Sequence, residues 1–173
     1  MKTPTKRATR RLAASLAIAI AFVATLTTQA DTYYMRGKDG GGKSSFSGTR
    51  SANNIGWAIT RNGNPVATAI MSGNDFIIQN ATLLRTGTSA SQTFGGATLT
   101  LEADGEMFLK AGDLKTKVPG TVSFASLIGD GGAITHAVAN TQTINGGAVS
   151  INAGKSLIVK LSPSNRKIGR AHV

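Results

Sequence analysis

The feature that most constrains this chain is an internal repeat with an offset of about 50 residues. Residues 92–101 read Gln-Thr-Phe-Gly-Gly-Ala-Thr-Leu-Thr-Leu, and residues 142–151 read Gln-Thr-Ile-Asn-Gly-Gly-Ala-Val-Ser-Ile. The second segment contains one inserted Asn and is otherwise similar to the first. Residues 107–110 are echoed in the same way by residues 157–160. Repeats of this kind indicate a small structural unit that stacks on copies of itself.

From Asp75 onward, short apolar runs alternate with Gly, Asn and Asp, which predicts many short strands and no long helix. In residues 97–101 polar and apolar side chains alternate, so Leu99 and Leu101 share one face. The chain has 21 glycines among 173 residues, which suit sharp corners with positive φ. The predicted strands are 76–78, 81–84, 97–101, 107–109, 121–124, 133–135, 137–138, 143–144, 148–151 and 157–159.

The repeat favours an all-β fold in the form of a right-handed parallel β-helix, a solenoid, over residues 75–167. The offset then covers two turns of about 25 residues, each with two or three short strands. One turn cannot bury its inward Phe, Ile, Leu and Val side chains, whereas stacked turns share a continuous core. Thr and Ser are expected to face outward. The alternative is a β-sandwich of unrelated strands in two facing layers.

Residues 31–74 are less regular, and we interpret them as an N-terminal cap. They hold Trp57, both tyrosines and a run of three glycines, with predicted strands at 33–35 and 57–59. The terminal units of solenoids are atypical because they cover the open end of the core. Trp57 is therefore expected to be buried in the cap. A role in stacking on a sugar ring is the alternative for this side chain.

Residues 1–30 have the pattern of a cleaved signal peptide. Five of the 19 Lys and Arg residues lie within the first 11 positions, residues 12–26 are free of charge, and Ala30 offers a small residue at the cleavage point. A membrane anchor is the alternative, but a span needs about 20 apolar residues. The chain is therefore expected to be secreted or placed at a bacterial cell surface.

The net charge of +11 overstates the basicity of the folded part. Beyond residue 30 the charged residues are spread along the chain rather than clustered with aromatic residues. A nucleic-acid partner is therefore not expected. The absence of Cys excludes disulfides, Cys-ligated metals and thiol catalysis.

Several patterns that resemble functional sites are better explained as ordinary structure. Residues 37–44 match the G-x-x-x-x-G-K-[ST] phosphate loop, but the residues that follow are a poor start for the helix that such a loop needs. Glu102, Asp104 and Glu106 could hold a cation, although a solvated corner is favoured. His136 is expected at a surface or corner. No catalytic, cofactor-binding or metal-ligating residue is therefore predicted, and no cofactor is expected.

A resemblance to a known family is carried by residues 74–86 and 93–101. These residues are Asn-Asp-Phe-Ile-Ile-Gln-Asn-Ala-Thr-Leu-Leu-Arg-Thr and Thr-Phe-Gly-Gly-Ala-Thr-Leu-Thr-Leu, and they resemble the autotransporter-associated β-strand repeat proteins. That resemblance implies a passenger-like β-helix displayed at or beyond the outer membrane of a Gram-negative bacterium. It brings no catalytic residues, because the repeat defines a scaffold. Such proteins are usually longer and end in a barrel or sorting segment.

The last six residues, 168–173, resemble the translation of a sequencing adapter and are interpreted as a non-native tail. The natural protein is accordingly expected to continue beyond Lys167, with any outer-membrane attachment in that missing part. The predicted function is non-enzymatic adhesion or structural display, with glycans or surface proteins as partners. The alternative is a polysaccharide lyase or hydrolase on the same fold.

Overall fold

The computed structural model describes residues 29–40, 44–112, 118–136 and 140–161. Eleven strands and no helix occur among them, so these residues include no helix that could cross a membrane. The predicted signal peptide, apart from its last two residues, and the predicted non-native tail lie outside the described residues. The strands are β1 (Thr32–Arg36), β2 (Gly56–Ala58), β3 (Asp75–Ile78), β4 (Leu83–Arg85), β5 (Ser91–Thr93), β6 (Thr98–Glu102), β7 (Glu106–Leu109), β8 (Gly120–Asp130), β9 (Ala133–His136), β10 (Gln142–Ile151) and β11 (Ile158–Leu161).

The strands form two sheets whose members come from successive turns of the chain. In the first sheet, β10, β8, β6, β3 and β1 lie side by side in parallel, and in the second β11, β9, β7 and β4 do the same. The chain therefore alternates between the sheets and returns to each one turn later. This arrangement is a parallel β-solenoid of about three turns. It confirms the predicted all-β parallel β-helix over the sandwich.

The register explains the sequence repeat. Leu99 pairs with Leu127, and Leu127 pairs with Val149, so the repeat offset spans two turns as predicted. In the second sheet Phe108 pairs with Thr135, which pairs with Lys160. The sequence echo had instead aligned Lys110 with Lys160. The two alignments differ by two residues, which leaves every side chain on the same face of its strand.

Two strands are longer than predicted. The first half of β8 pairs with β5 and its second half pairs with β6, so this one strand lies beside two separate strands of the preceding turn. Gly146 and Gly147 were expected to lie at a corner, yet both belong to β10 beside β8. A Cβ atom on Gly147 would lie 2.6 Å from the backbone oxygen of Ala125. Glycine is needed there for close approach of two strands rather than for a turn.

One corner is made without glycine. Between β3 and β4, Asn80 and Ala81 have positive φ of 42° and 55°. The equivalent corner between β6 and β7 has positive φ at Asp104, 62°. Left-handed backbone is uncommon for alanine. At the corner of Asn80 and Ala81, the side-chain hydroxyl of Thr82 donates a hydrogen bond to the backbone oxygen of Gln79 at 2.5 Å. Sequence patterns alone had placed Ala81 in a strand.

The core runs along the axis as stacked inward side chains. The alternation within the central strands places Leu99, Leu101 and similar apolar residues inside and mostly polar residues outside, as predicted, although Ile77 and Phe108 also face outward. Four phenylalanines and Trp57 form a cluster of mainly edge-to-face contacts at the end nearest the cap. The fully buried large side chains include Trp57, Phe76, Met35, Ile78, Leu84, Leu99, Leu101, Met107, Leu127, Ile134 and Val122.

The cap closes one end of this core. β2 pairs antiparallel with β1, while β1 itself pairs in parallel with β3 and so forms part of the first turn. Trp57 is fully buried; its ring centroid lies 4.8 Å from that of Phe76, and its Nε1 donates to the oxygen of Ser45 at 2.8 Å. The prediction of a buried cap residue is confirmed. The alternative of a sugar-stacking Trp57 is wrong, because no face of the ring reaches solvent.

Candidate binding face

The second sheet presents a cationic outer surface. Arg85 lies between the buried Leu84 and Thr86 and therefore points outward. Outward side chains on neighbouring turns add further cations. We call this surface the basic face, and define it by Lys38, Arg85, Lys110 and Lys160.

The members of the basic face are brought together by strand register. Arg85 pairs with Phe108, and the guanidinium carbon of Arg85 lies 6.0 Å from the centre of the Phe108 ring. Thr135 and Lys160 follow in the same column across β9 and β11. Lys38 forms a parallel bridge with Leu83 at the first turn. Cations far apart in sequence thus share one surface.

Lys110 is partly buried close to a second cation of the basic face, Arg85. Partial burial lowers the pKa of Lys110 below its ordinary value, and the nearby charge of Arg85 lowers it further. The backbone amide of Lys110 donates to the Thr86 hydroxyl at 2.7 Å, which fixes its position beside β4. Such a crowded pair of cations favours an anion that would neutralise both.

A groove of about 280 Å³ runs along the corner beside the basic face. Lys38 and Lys160 line it together with Asp104, Glu106 and Thr82. Glu106 accepts a hydrogen bond from the Thr135 hydroxyl, and its Oε1 lies 4.0 Å from Nζ of Lys160. The groove therefore combines cations with hydrogen-bond acceptors.

Glycines keep the wall of this groove close to the neighbouring backbone. A Cβ atom on Gly105 would lie 2.4 Å from the oxygen of Ile78, and one on Gly132 would lie 2.6 Å from the oxygen of Glu102. Both contacts are far below van der Waals distance, so alanine does not fit without movement of the turns. The groove depends on glycine at these corners.

The outer face of the first sheet has a different charge pattern, because its acids are paired. Glu102 accepts two hydrogen bonds of 2.6 Å from Arg61, and these bonds raise the pKa of Arg61. Asp130 accepts from Asn152 at 2.9 Å and lies 4.0 Å from Nζ of Lys155. This face is therefore close to neutral where these pairs lie.

The structure separates the three carboxylates that the sequence had grouped. Glu102 lies on the first sheet against Arg61, Glu106 lies on the second sheet beside Thr135, and Asp104 lies in the turn between them. Across the parts of the chain that the structure describes, no group of three or more His, Asp or Glu residues is placed to hold a metal ion. The corner interpretation accounts for these residues.

The loop that matches the phosphate motif has a structural role in the cap. It follows β1, and no helix follows it in residues 44–112. Asp39 is buried and accepts hydrogen bonds from the amide and hydroxyl of Ser45, the Ser51 hydroxyl and the Arg85 amide, at 2.8 to 3.1 Å. Residues 41–43 of the motif lie outside the described residues. Nothing in the sequence indicated the anchoring role of Asp39.

His136 lies at the end of β9 and is half-buried. It pairs with Leu109 on one side and Leu161 on the other, so it continues an inward column of the core. The corner position agrees with the prediction, but the inward register does not. Its Nε2 has no hydrogen-bond partner within the described residues.

The basic face was missed by sequence reasoning because its cations are widely separated. The sequence suggested that charge is dispersed along the chain, and that is correct for the linear order. The register then collects Arg85, Lys110 and Lys160 on one side. The echo that ends in Lys110 and Lys160 was the one sequence signal that could have pointed to this face.

Comparison of the chain with protein-family models, with curated proteins and with solved structures finds no match. The resemblance to autotransporter-associated repeats therefore stays a prediction. The solenoid architecture and the geometry of its faces are what bear on function.

Proposed function

We propose that this protein is an exported, non-enzymatic β-solenoid that displays binding faces to glycans or surface proteins. The proposal joins the solenoid to two expectations from the sequence, the signal peptide at residues 1–30 and the passenger-like repeat. The solenoid supplies a stiff support, and the outer faces supply the contacts.

The observation that carries the proposal is the combination of a filled interior with a ladder of outward polar side chains. Inward columns such as Phe76, Leu99 and Leu127 are fully or almost fully buried. Outward positions such as Thr98 and Thr100 alternate with them on the same strands. A regular outer surface on a rigid core suits recognition of an extended ligand.

The acidic residues support display over catalysis, because most are engaged in structural contacts. Glu102 pairs with Arg61, Asp75 accepts from Thr98 at 2.6 Å, and Asp39 anchors the cap. A lyase or hydrolase needs carboxylates that converge on one substrate bond. These three carboxylates are each committed to a different partner, which favours a supporting role for them.

The test measures binding and cleavage on the same polysaccharides. The full chain is applied to an array of neutral and anionic polysaccharides, and the same polymers in solution are assayed for new reducing ends and for unsaturated products. We expect retention on at least one polymer without products. The heat-unfolded chain is the control for binding by an unstructured basic polypeptide.

Export is tested separately in a Gram-negative host. We expect a shortened chain that begins at Asp31 outside the inner membrane, identified by intact mass. Product formation from any polymer would overturn the non-enzymatic proposal. A full-length chain that stays in the cytoplasm would overturn the exported one.

A further inference from the structure

We propose that the basic face and its groove bind an anionic polysaccharide that carries uronic acid groups. The inference rests on the proposed display function and names the site and ligand class for it. Three features of the described residues carry it: charge asymmetry between the two sheets, alignment of the cations along the solenoid axis, and the mixed chemistry of the groove.

The first feature is that the two sheets carry different charge on their outer faces. On the first sheet the cations Arg61 and Lys155 each lie against an acid. On the second sheet and its groove two acids, Asp104 and Glu106, lie among the four cations of the basic face, and Glu106 is 4.0 Å from Lys160. The second sheet therefore has excess positive charge that suits a polyanion.

The second feature is direction. The column from Lys38 through Leu83, Glu106 and Ala133 to Ile158 crosses four strand spacings. At about 4.8 Å per spacing, the groove extends roughly 19 Å along the solenoid axis. Lys38 lies at one end of this line and Lys160 lies near the other. A linear polymer with repeated negative groups matches this layout.

The third feature selects a polysaccharide over other polyanions. Between the terminal lysines the groove offers the Asp104 and Glu106 carboxylates and the Thr82 hydroxyl. Carboxylates accept hydrogen bonds from sugar hydroxyls, whereas an ionised phosphate backbone offers them no donor. A ligand with both kinds of group can place its carboxylates at the lysines and donate from its hydroxyls to the acceptors between them.

The same groove is poorly suited to a membrane surface. Among its described lining residues, Ile158 is the large apolar side chain that is substantially exposed, at 44%. Surface binding to lipid normally combines cations with an apolar face that enters the acyl region. Val159 and Leu161 are also exposed and flank Lys160, but their register continues the inward columns of Ile134 and His136 rather than the outer surface.

The test compares four probes on the full chain. They are polygalacturonate, its fully methyl-esterified form, single-stranded DNA, and vesicles of phosphatidylglycerol. We expect polygalacturonate to bind most tightly and to be released by salt. The ester has the same backbone without the charge, so it should bind at least tenfold more weakly.

A matched pair of variants locates the site. Lys38→Gln with Lys160→Gln removes two exposed charges at the two ends of the groove, and we expect roughly tenfold weaker binding of polygalacturonate. Arg50→Gln with Lys155→Gln removes the same charge elsewhere and should change binding less than about twofold. Fluorescence of the buried Trp57 confirms that each variant is folded.

Each outcome bears on one proposal. Equal loss in both double variants, or tighter binding of DNA or vesicles, overturns the uronate site. Retention on neutral polysaccharides alone also overturns it but leaves the display function standing. Cleavage of polygalacturonate overturns the display function instead.

Discussion

The inward columns of the solenoid are buried at the end nearest the cap and exposed on the last described turn. At the end nearest the cap, Phe76 is fully buried beneath Trp57. On the last described turn, Val149 is 56% exposed although its column neighbour Leu127 is 1% exposed. Val159 in the second sheet is 67% exposed. Burial in this fold therefore depends on the adjacent turn and not on the register position itself.

The difference shows what a cap contributes. The cap supplies the buried aromatic side chains of Tyr33, Phe46 and Trp57, an antiparallel strand and a buried hydrogen-bonded aspartate, whereas an inner turn supplies another parallel strand to each sheet. A solenoid turn cannot bury its apolar side alone. The following substitutions contrast the two ends, beginning with the largest expected effect.

Trp57→Ala should be the most damaging change, because it removes the side chain that covers the aromatic end of the core. We expect a loss of about 3–5 kcal/mol in the free energy of unfolding, measured by urea denaturation. Val159→Ala at the other end is the matched control. It should cost less than about 1 kcal/mol, since that side chain is mostly in solvent. Similar losses at the two ends would contradict the comparison.

Asp39→Ala should cost about 2–4 kcal/mol, because it leaves the Ser45 and Arg85 amides without their acceptor inside the cap. Asp130→Ala removes a carboxylate whose contacts to Asn152 and Lys155 are largely exposed, and should cost about 0.5 kcal/mol or less. Thermal unfolding followed by circular dichroism compares the two. An Asp39 variant as stable as the Asp130 variant would show that the cap does not depend on this anchor.

Gly105→Ala should cost about 2–3 kcal/mol, because the new methyl group meets the Ile78 backbone at the inner corner. Gly154→Ala tests the contribution of backbone conformation without a clash. Gly154 has φ 71° and open space around it, so the expected cost is about 1 kcal/mol. Equal urea midpoints for the two variants would contradict the close approach of turns at Gly105.

The smallest effect concerns Lys110, whose pKa is lowered by burial and by Arg85. The unfolded chain binds more protons than the folded chain between this lowered pKa and the ordinary value of about 10.4, so stability rises with pH across that window. Below the window the charged Lys110 slightly destabilises the fold. We expect the urea midpoint of wild type to rise relative to that of Lys110→Gln between about pH 8 and pH 10.5. A constant difference would contradict the lowered pKa.

The sequence was sufficient for the solenoid because short-range alternation predicts the strands and the repeat between residues 92–101 and 142–151 predicts that they stack. Alternation placed Leu99 and Leu101 inward, and the isolated Trp57 in an irregular region indicated a capped end. The length of β8 was not predictable, because its second half is a strand only beside β6. The corner at Asn80 and Ala81 has no glycine to mark it.

The basic face could not be derived from the sequence for a related reason. A two-residue change in the alignment of turns moves Lys160 from the column of Lys110 to that of Phe108. Both alignments keep the side chain outward, so hydrophobic pattern does not distinguish them. Only the strand pairing fixes which cations are neighbours.

The turn between Leu99 and Leu127 holds more residues than the turn from Phe76 to Leu99 or from Leu127 to Val149. Strand pairing nevertheless continues without a shift on both sides of it. The spacing between turns is therefore set by the hydrogen bonds between paired strands and does not depend on the number of residues in a turn. Insertion of a foreign peptide into this longer turn is accordingly expected to leave the ladder on both sides paired, which would make the turn an attachment point for engineered epitopes.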